Sequence, residues 1–91
     1  MIKVQQSDFV VADEYRHLAN DNQDGAVVTF VGKVRDFNEG LDVQGLSLEH
    51  YPGMTEKVLN DIEKKAREHW PLNKVTIIHR FGDLTLGPVG I

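Results

Sequence analysis

The sequence has no cysteine among its 91 residues, which excludes disulfide bonds, zinc-thiolate sites and thiol nucleophiles. It also has no apolar run near the roughly 20 residues that a membrane-spanning helix needs, and its first residues do not have the pattern of a signal peptide. We therefore expect a cytoplasmic protein that does not associate with membranes.

Positive charge is scarce as well. Ten lysine and arginine residues are outnumbered by 14 aspartate and glutamate residues, which gives a formal net charge of -4. Nucleic-acid-binding domains normally carry a basic face. No nucleic-acid partner is expected, and any anion-binding site must be a local one.

Motifs for cofactors and metals are missing too. The sequence has no P-loop, no G-x-G-x-x-G and no G-x-S-x-G. The four histidines lack the spacing of paired metal ligands on a helix or strand; they are His17, His50, His69 and His79. Glu49 and Tyr51 share one strand face and His50 points to the other, which argues against a catalytic triad. We expect neither a cofactor nor a metal.

The most informative stretch spans residues 25 to 35, Gly-Ala-Val-Val-Thr-Phe-Val-Gly-Lys-Val-Arg. Its β-branched and aromatic residues predict a strand. Both faces are apolar at its start, which predicts a central strand covered on both sides. At its end Lys33 and Arg35 share a face, about 7 Å apart at roughly 3.3 Å per residue. These two cations could bind an anion together, or the strand end could simply be solvated.

The other elements follow from periodicity and turn residues. We predict strands at 2–4, 45–51, 74–81 and 84–86, helices at 8–20 and 54–70, and a nine-residue loop at 36–44. The 45–51 strand is expected to pair antiparallel with the 25–35 strand, and Trp70 is expected to anchor the second helix in the core. The order predicts one α+β domain over residues 1–91, and a β-α-β-β-α-β series matches the ferredoxin-like pattern.

Three segments resemble the MoaE family, the large, catalytic subunit of molybdopterin synthase. They are the 25–35 stretch, Leu-Glu-His-Tyr-Pro-Gly-Met-Thr-Glu at 48–56, and Trp-Pro-Leu followed by Val-Thr-Ile-Ile-His-Arg-Phe-Gly within 70–82. The resemblance implies the N-terminal part of a MoaE-like domain. It also implies an α/β-hammerhead fold with a mainly antiparallel sheet and two helices, in place of the ferredoxin-like arrangement.

The resemblance further implies an activity, a sulfur transfer in molybdenum cofactor biosynthesis. The family converts cyclic pyranopterin monophosphate, a pterin phosphate, to molybdopterin. The sulfur comes from a small ubiquitin-like, MoaD-like sulfur-carrier subunit with a C-terminal thiocarboxylate. A second copy of the large subunit is implied as well, giving a dimer with one small subunit at each end, a heterotetramer.

Residue by residue, the resemblance places substrate binding at Lys33, Val34 and Arg35, where a guanidinium suits a phosphate because it can bind in a bidentate manner. The family's catalytic lysines and its His-Arg pair match no position up to Ile91, so no catalytic residue is assigned and this chain alone is expected to be inactive. Two alternatives stay open. One is a truncated, non-catalytic interaction or dimerisation module of the same family, and the other is a ligand-sensing ferredoxin-like domain.

Overall fold

The computed structural model describes residues 1–34, 37–38, 41–42, 45–49 and 51–85. Within these ranges the chain forms two helices and six short strands. In chain order they are β1 (Ile2–Gln5), α1 (Val11–Leu18), β2 (Phe37–Asn38), β3 (Leu41–Asp42), β4 (Gly45–Leu48), α2 (Met54–His69), β5 (Ile77–Arg80) and β6 (Gly82–Thr85). The predicted α+β class is confirmed, although the order of helices and strands along the chain differs from the predicted β-α-β-β-α-β.

The described strands form three separate pairs. β1 and β5 are parallel, with Ile2 opposite Ile77, and so join the beginning and the later part of the chain. β4 and β6 are antiparallel, with Leu46 opposite Leu84. The prediction that residues 45–51 pair with residues 25–35 is therefore wrong. Leu84, only 2% exposed, is the most deeply buried hydrophobic residue in the described part of the chain.

The central strand predicted at residues 25–35 is not formed over residues 25–34, the part of it that the structure describes. Residues 25–34 belong to no helix or strand, and their backbone groups make no backbone hydrogen bond within the described ranges. The side chains of Val28 and Phe30 are 91% and 94% exposed, so the prediction of cover on both faces is also wrong. β-branched residues favour a strand only where a partner backbone and a packed layer are present. The described residues supply neither here.

The second helix follows its sequence pattern closely. α2 spans Met54–His69 and ends before Pro71, as predicted to within one residue. Its half-buried face includes Leu59 and Ala66, and the helix packs against β1. Trp70 lies just past the last helical residue and is 61% exposed. The expectation that it anchors the helix in the core is wrong, because the backbone of Trp70 is extended, with a φ of -136° and a ψ of 147°, and does not continue the helix.

The first helix is shorter than predicted. α1 covers Val11–Leu18, whereas its pattern predicted a helix over residues 8–20. Asp8 stays outside the helix, where its carboxylate accepts a hydrogen bond of 2.8 Å from the Phe9 N–H and lies 3.5 Å from the Arg80 guanidinium. These contacts replace the helix-capping role that an aspartate at this position often has.

The predicted loop at 36–44 contains a small antiparallel pair, in which Phe37 lies opposite Asp42 in β2 and β3. The other residues of that loop lie outside the described ranges, as do Arg35 and residues 86–91. No helix in the described ranges combines the length and the apolar character that crossing a bilayer requires.

Candidate functional site

The candidate anion site is the end of the 25–34 segment. Lys33 is exposed, and its neighbour Val34 is buried, with 7% exposure. A strand would place Val34 on one face with Val28 and Phe30, but those two side chains are exposed, so the burial of Val34 is local and does not reflect strand alternation. Arg35 lies outside the described residues, so the pairing of its charge with Lys33 stays a prediction.

Lys33 has no ionic partner among the described residues. Most other cations do: Lys3 lies 3.5 Å from Glu14, and Lys74 lies 2.9 Å from Asp21. The remaining described lysines without a carboxylate partner are on α2, namely Lys57, Lys64 and Lys65. Outside that helix, Lys33 is therefore the cation that the described structure leaves available to an external anion.

Arg80 differs from Lys33 because its guanidinium is bound to groups of the chain itself. Its Nε and Nη2 atoms donate hydrogen bonds of 3.0 and 2.9 Å to the backbone carbonyl of Gln6, and the carboxylate of Asp8 lies 3.5 Å away. The arginine side chain is only 13% exposed. Arg80 thus has a structural role, and its guanidinium is not available to a ligand.

The histidines are scattered. His17 lies 3.9 Å from Glu14 on α1, and the ring of His69 stands 5.6 Å from that of Trp70. His50 lies outside the described residues. In the described ranges, no three histidine or acidic side chains come together as metal ligands would.

A polar contact joins Glu49 and Tyr51. The Tyr51 hydroxyl donates a hydrogen bond to the Glu49 carboxylate, in agreement with the prediction that these two residues share a face. The bond to the anionic carboxylate, with some desolvation, raises the pKa of Tyr51 above its ordinary value. A phenol held in this way keeps its proton and is a poor general base at neutral pH.

Two cavities lie between residues 24–31 and residues 71–78. The larger, about 310 Å³, is lined mainly by apolar side chains, together with Asp24, Asn73 and Lys74. These polar groups are already used: Asn73 donates a 3.1 Å hydrogen bond to Asp24, and Lys74 bonds Asn20 and Asp21. The cavity therefore presents apolar surface and no free cation, and it is not suited to a phosphate.

Sequence reasoning missed this polar cluster of residues 20–24 with residues 73–74. The run of asparagine and aspartate residues signals a turn. It does not indicate which distant cation the turn will contact. Lys74 holds the pKa of Asp21 below its ordinary value, chiefly through their hydrogen bond.

Comparison with known proteins places this geometry in a family. The model of the MoaE protein family matches residues 4–89. The molybdopterin synthase catalytic subunit of Vibrio cholerae is 60% identical over 86 residues, which cover 94% of this chain and 57% of that protein. The subunit of the same name from Escherichia coli K12 is 58% identical over 79 residues, which cover 87% of this chain and 53% of that protein.

Solved structures agree. The molybdopterin biosynthesis MoaE protein from Burkholderia ambifaria superposes with a TM-score of 0.81 at 42% identity, covering 99% of this chain and 57% of that one. This chain thus spans a little over half the length of the relatives that it matches. A family model that matches nearly the whole chain, together with this fold similarity, shows that the chain belongs to the MoaE protein family.

Proposed function

We propose that this chain acts in molybdenum cofactor biosynthesis as a molybdopterin synthase catalytic subunit, a sulfur transferase. The proposal is supported by the name that its relatives share, at up to 60% identity. The structural observation that carries it is the exposed charge of Lys33, which has no ionic partner in the described ranges and lies beside the buried Val34.

The proposed substrate is cyclic pyranopterin monophosphate, bound at Lys33, Val34 and Arg35. In this proposal the buried Val34 would hold the backbone in place, and its neighbours Lys33 and Arg35 would bind the phosphate. Arg35 would supply the directional, bidentate contact, and Lys33 would supply a point charge. Lys33 would not have to break an ion pair with any described residue first.

The sulfur donor and the assembly are also proposals. A small MoaD-like subunit would deliver sulfur from its C-terminal thiocarboxylate, and two copies of this chain would form the centre of a heterotetramer. The α/β-hammerhead topology and the cytoplasmic location, both implied by the family resemblance, belong to the same proposal. Residues 1–91 would be the N-terminal part of such a domain.

A binding titration with the pterin phosphate tests the site. Arg35→Ala should weaken binding by about 1.5 to 3 kcal/mol, about 10- to 150-fold in Kd, because it removes a charge-assisted contact. Lys33→Ala should weaken it less, since an ammonium has less geometric definition. Lys57→Ala is the matched control, because Lys57 is an exposed α2 lysine that also lacks an ionic partner in the described structure. Equal affinities for all three variants and the unaltered chain would refute the site.

A second candidate is a non-catalytic interaction or dimerisation module of the same family. This chain aligns with 53 to 57% of its relatives' lengths, so both candidates concern residues 1–91 alone. The catalytic lysines and the His-Arg pair that the family resemblance implies match no position in residues 1–91. We therefore expect the 91-residue chain alone to be inactive.

A reconstitution assay separates the two candidates. The 91-residue chain, the thiocarboxylated small subunit and the precursor are mixed, and molybdopterin formation is compared with that of a full-length relative at the same concentration. We expect no turnover from residues 1–91 alone, and turnover near that of the relative would contradict this expectation and support the enzyme. Binding of the small subunit without turnover supports the module.

A further inference from the structure

The larger of the two cavities, here termed the Asp24 cavity, has a volume of about 310 Å³. Small-molecule pockets in proteins usually measure about 300 to 1,000 Å³, and they combine a mainly apolar wall with a few polar groups that orient the ligand. The wall of the Asp24 cavity has this composition. Its apolar part includes Leu18, Val27, Leu72 and Val75, and its polar part includes Asp24, Asn73 and Lys74.

The charges at the Asp24 cavity do not balance. The Lys74 ammonium lies 2.9 Å from the Asp21 carboxylate, so its charge is compensated by a group of the chain itself. Asp24 receives a neutral donor instead, a 3.1 Å hydrogen bond from the Asn73 amide. Within the described ranges, no lysine, arginine or histidine forms an ion pair with Asp24. The negative charge of Asp24 is therefore left without a cation.

The carboxylate of Asp24 is suited to hold a ligand's cation. An ionised carboxylate offers about four acceptor positions, and Asn73 occupies one of them. Asp24 is also half-buried, and the attraction between opposite charges is stronger in such a position than in bulk water. A cationic group in the cavity would thus be attracted by Asp24, whereas an anionic group would be repelled.

The apolar wall indicates what this cation must carry. A bare metal ion would leave the wall in contact with water, and within the described ranges no three histidine or acidic side chains come together as metal ligands would. A neutral apolar molecule would cover the wall, but it would withdraw the Asp24 carboxylate from water without giving it a partner, which is unfavourable. A cation on an apolar body satisfies both parts of the wall.

We propose that the Asp24 cavity binds a small amphiphilic amine, in which a primary ammonium is attached to a short apolar body. The ammonium donates hydrogen bonds to the Asp24 carboxylate, and the apolar body contacts the side chains of Leu18, Val27 and Leu72. The proposal does not depend on the proposed function, since neither Lys33 nor Val34 is among the described residues that line the cavity.

Isothermal titration calorimetry of the 91-residue chain with n-hexylamine tests the proposal. Like a lysine side chain, this amine is protonated at neutral pH. n-Hexanol has the same apolar body without the charge, and methylamine has the ammonium without the body. Hexylammonium should bind about 3- to 30-fold more tightly than hexanol, as expected for a charge-assisted hydrogen bond at a partly exposed carboxylate. Methylammonium should show no saturable binding.

Three variants locate the site. Asp24→Asn removes the charge and keeps an acceptor for Asn73, so the affinity for hexylammonium should fall to that for hexanol, which should not change. Asp61→Asn is the matched control, because it makes the same change in net charge at an exposed α2 position that does not line the cavity. It should leave both affinities unchanged. Val27→Trp should abolish the binding of both compounds by filling the cavity, and circular dichroism checks that the fold is kept.

The outcomes that contradict the proposal are distinct from those that concern the pterin phosphate. No binding of hexylammonium overturns the proposal, as does binding that survives Asp24→Asn or Val27→Trp in a folded chain. Equal affinities for hexylammonium and hexanol overturn the role of Asp24. Lys33→Ala should leave the affinity for hexylammonium unchanged, and a parallel loss of both ligands in this variant would overturn the separation of the two sites.

Discussion

The guanidinium of Arg80 donates two hydrogen bonds to the backbone carbonyl of Gln6, 74 positions away in the sequence. The Phe81 N–H donates a further 3.1 Å bond to the carbonyl of Gln5. Together these bonds extend the parallel β1–β5 pair past its last register position, at Gln5 and Arg80. They tie the segment that leads into α1 to the sheet.

Arg80→Ala should lower the free energy of unfolding by about 1 to 3 kcal/mol, because it leaves a backbone carbonyl and the Asp8 carboxylate without their partner. Arg80→Lys should retain only part of the lost free energy of unfolding, since an ammonium cannot reproduce the planar arrangement of donors in a guanidinium. Arg16→Ala is the control: Arg16 is 70% exposed and pairs with Asp13 within α1, so its loss should change stability by no more than about 0.5 kcal/mol. Equal urea midpoints for Arg80→Ala and Arg16→Ala would contradict the structural role.

Gly82→Ala should also destabilise the fold. Gly82 has a φ of 84°, and a Cβ atom there would lie 3.3 Å from the side-chain amide nitrogen of Gln6. The left-handed conformation costs a non-glycine residue about 1 to 2 kcal/mol, and the contact with Gln6 adds to it. Gly53 has a similar φ of 83°, but a Cβ atom there would meet nothing within 4 Å. A thermal melt should therefore show a loss for both variants, and an unchanged melting temperature for Gly82→Ala would contradict the positive φ at this position.

The limits of sequence reasoning are visible in these elements. The helical period and Pro71 located α2 to within one residue because both signals are local. The residues 25–34 carry an equally strong local signal for a strand. A strand, however, exists only with a partner, and residue type does not identify that partner.

Sequence reasoning also had limits at the candidate site. The predicted alternation does not hold along the segment, because Val34 is buried whereas Val28 and Phe30, which a strand would place on the same face, are exposed. The engagement of Arg80 by a carbonyl oxygen was beyond prediction, because every residue carries such an acceptor and the sequence does not distinguish among them. That Lys33 has no ionic partner among the described residues could be learned only from the structure, once the partners of the other cations were known.

Glu63 should make stability depend on pH in the acid range. Its carboxylate accepts a 3.1 Å hydrogen bond from Arg67 Nε, and this bond holds the pKa of Glu63 below its ordinary value of about 4.5. A pKa that is lower in the folded state means that the contribution is present above the unfolded pKa and is lost as the pH falls through the folded value. The free energy of unfolding should thus decline below about pH 4.5.

Glu63→Gln should flatten that decline, as measured by urea denaturation at a series of pH values. Glu68→Gln serves as the comparison, because Glu68 is an exposed α2 carboxylate with no ionic partner among the described residues. It should leave the pH dependence nearly unchanged. Identical profiles for Glu63→Gln and the unaltered chain would show that Arg67 does not stabilise the ionised carboxylate.

Tyr51 should titrate above its ordinary pKa of 10.0 as long as Glu49 is present. The sequence has two tyrosines, so Tyr15→Phe leaves Tyr51 as the single reporter in an ultraviolet titration of phenolate. Adding Glu49→Gln removes the anionic acceptor and should shift the absorbance rise to lower pH. An unchanged curve in the Glu49→Gln background would mean that the hydrogen bond does not persist in solution.

The affinity for the pterin phosphate should fall as salt rises, because Lys33 is exposed and its attraction to a phosphate is screened. The Debye length shrinks from about 10 Å at 0.1 M to about 3 Å at 1 M ionic strength, so a contact made by an exposed charge weakens over this range. Lys33→Ala should show a shallower salt dependence than the unaltered chain, since one of the screened charges is gone. Lys57→Ala has the same net charge as Lys33→Ala, and it should keep the original slope because Lys57 lies on α2. If both variants show the same slope, the salt dependence reports the overall charge of the chain, and Lys33 has no particular part in holding the phosphate.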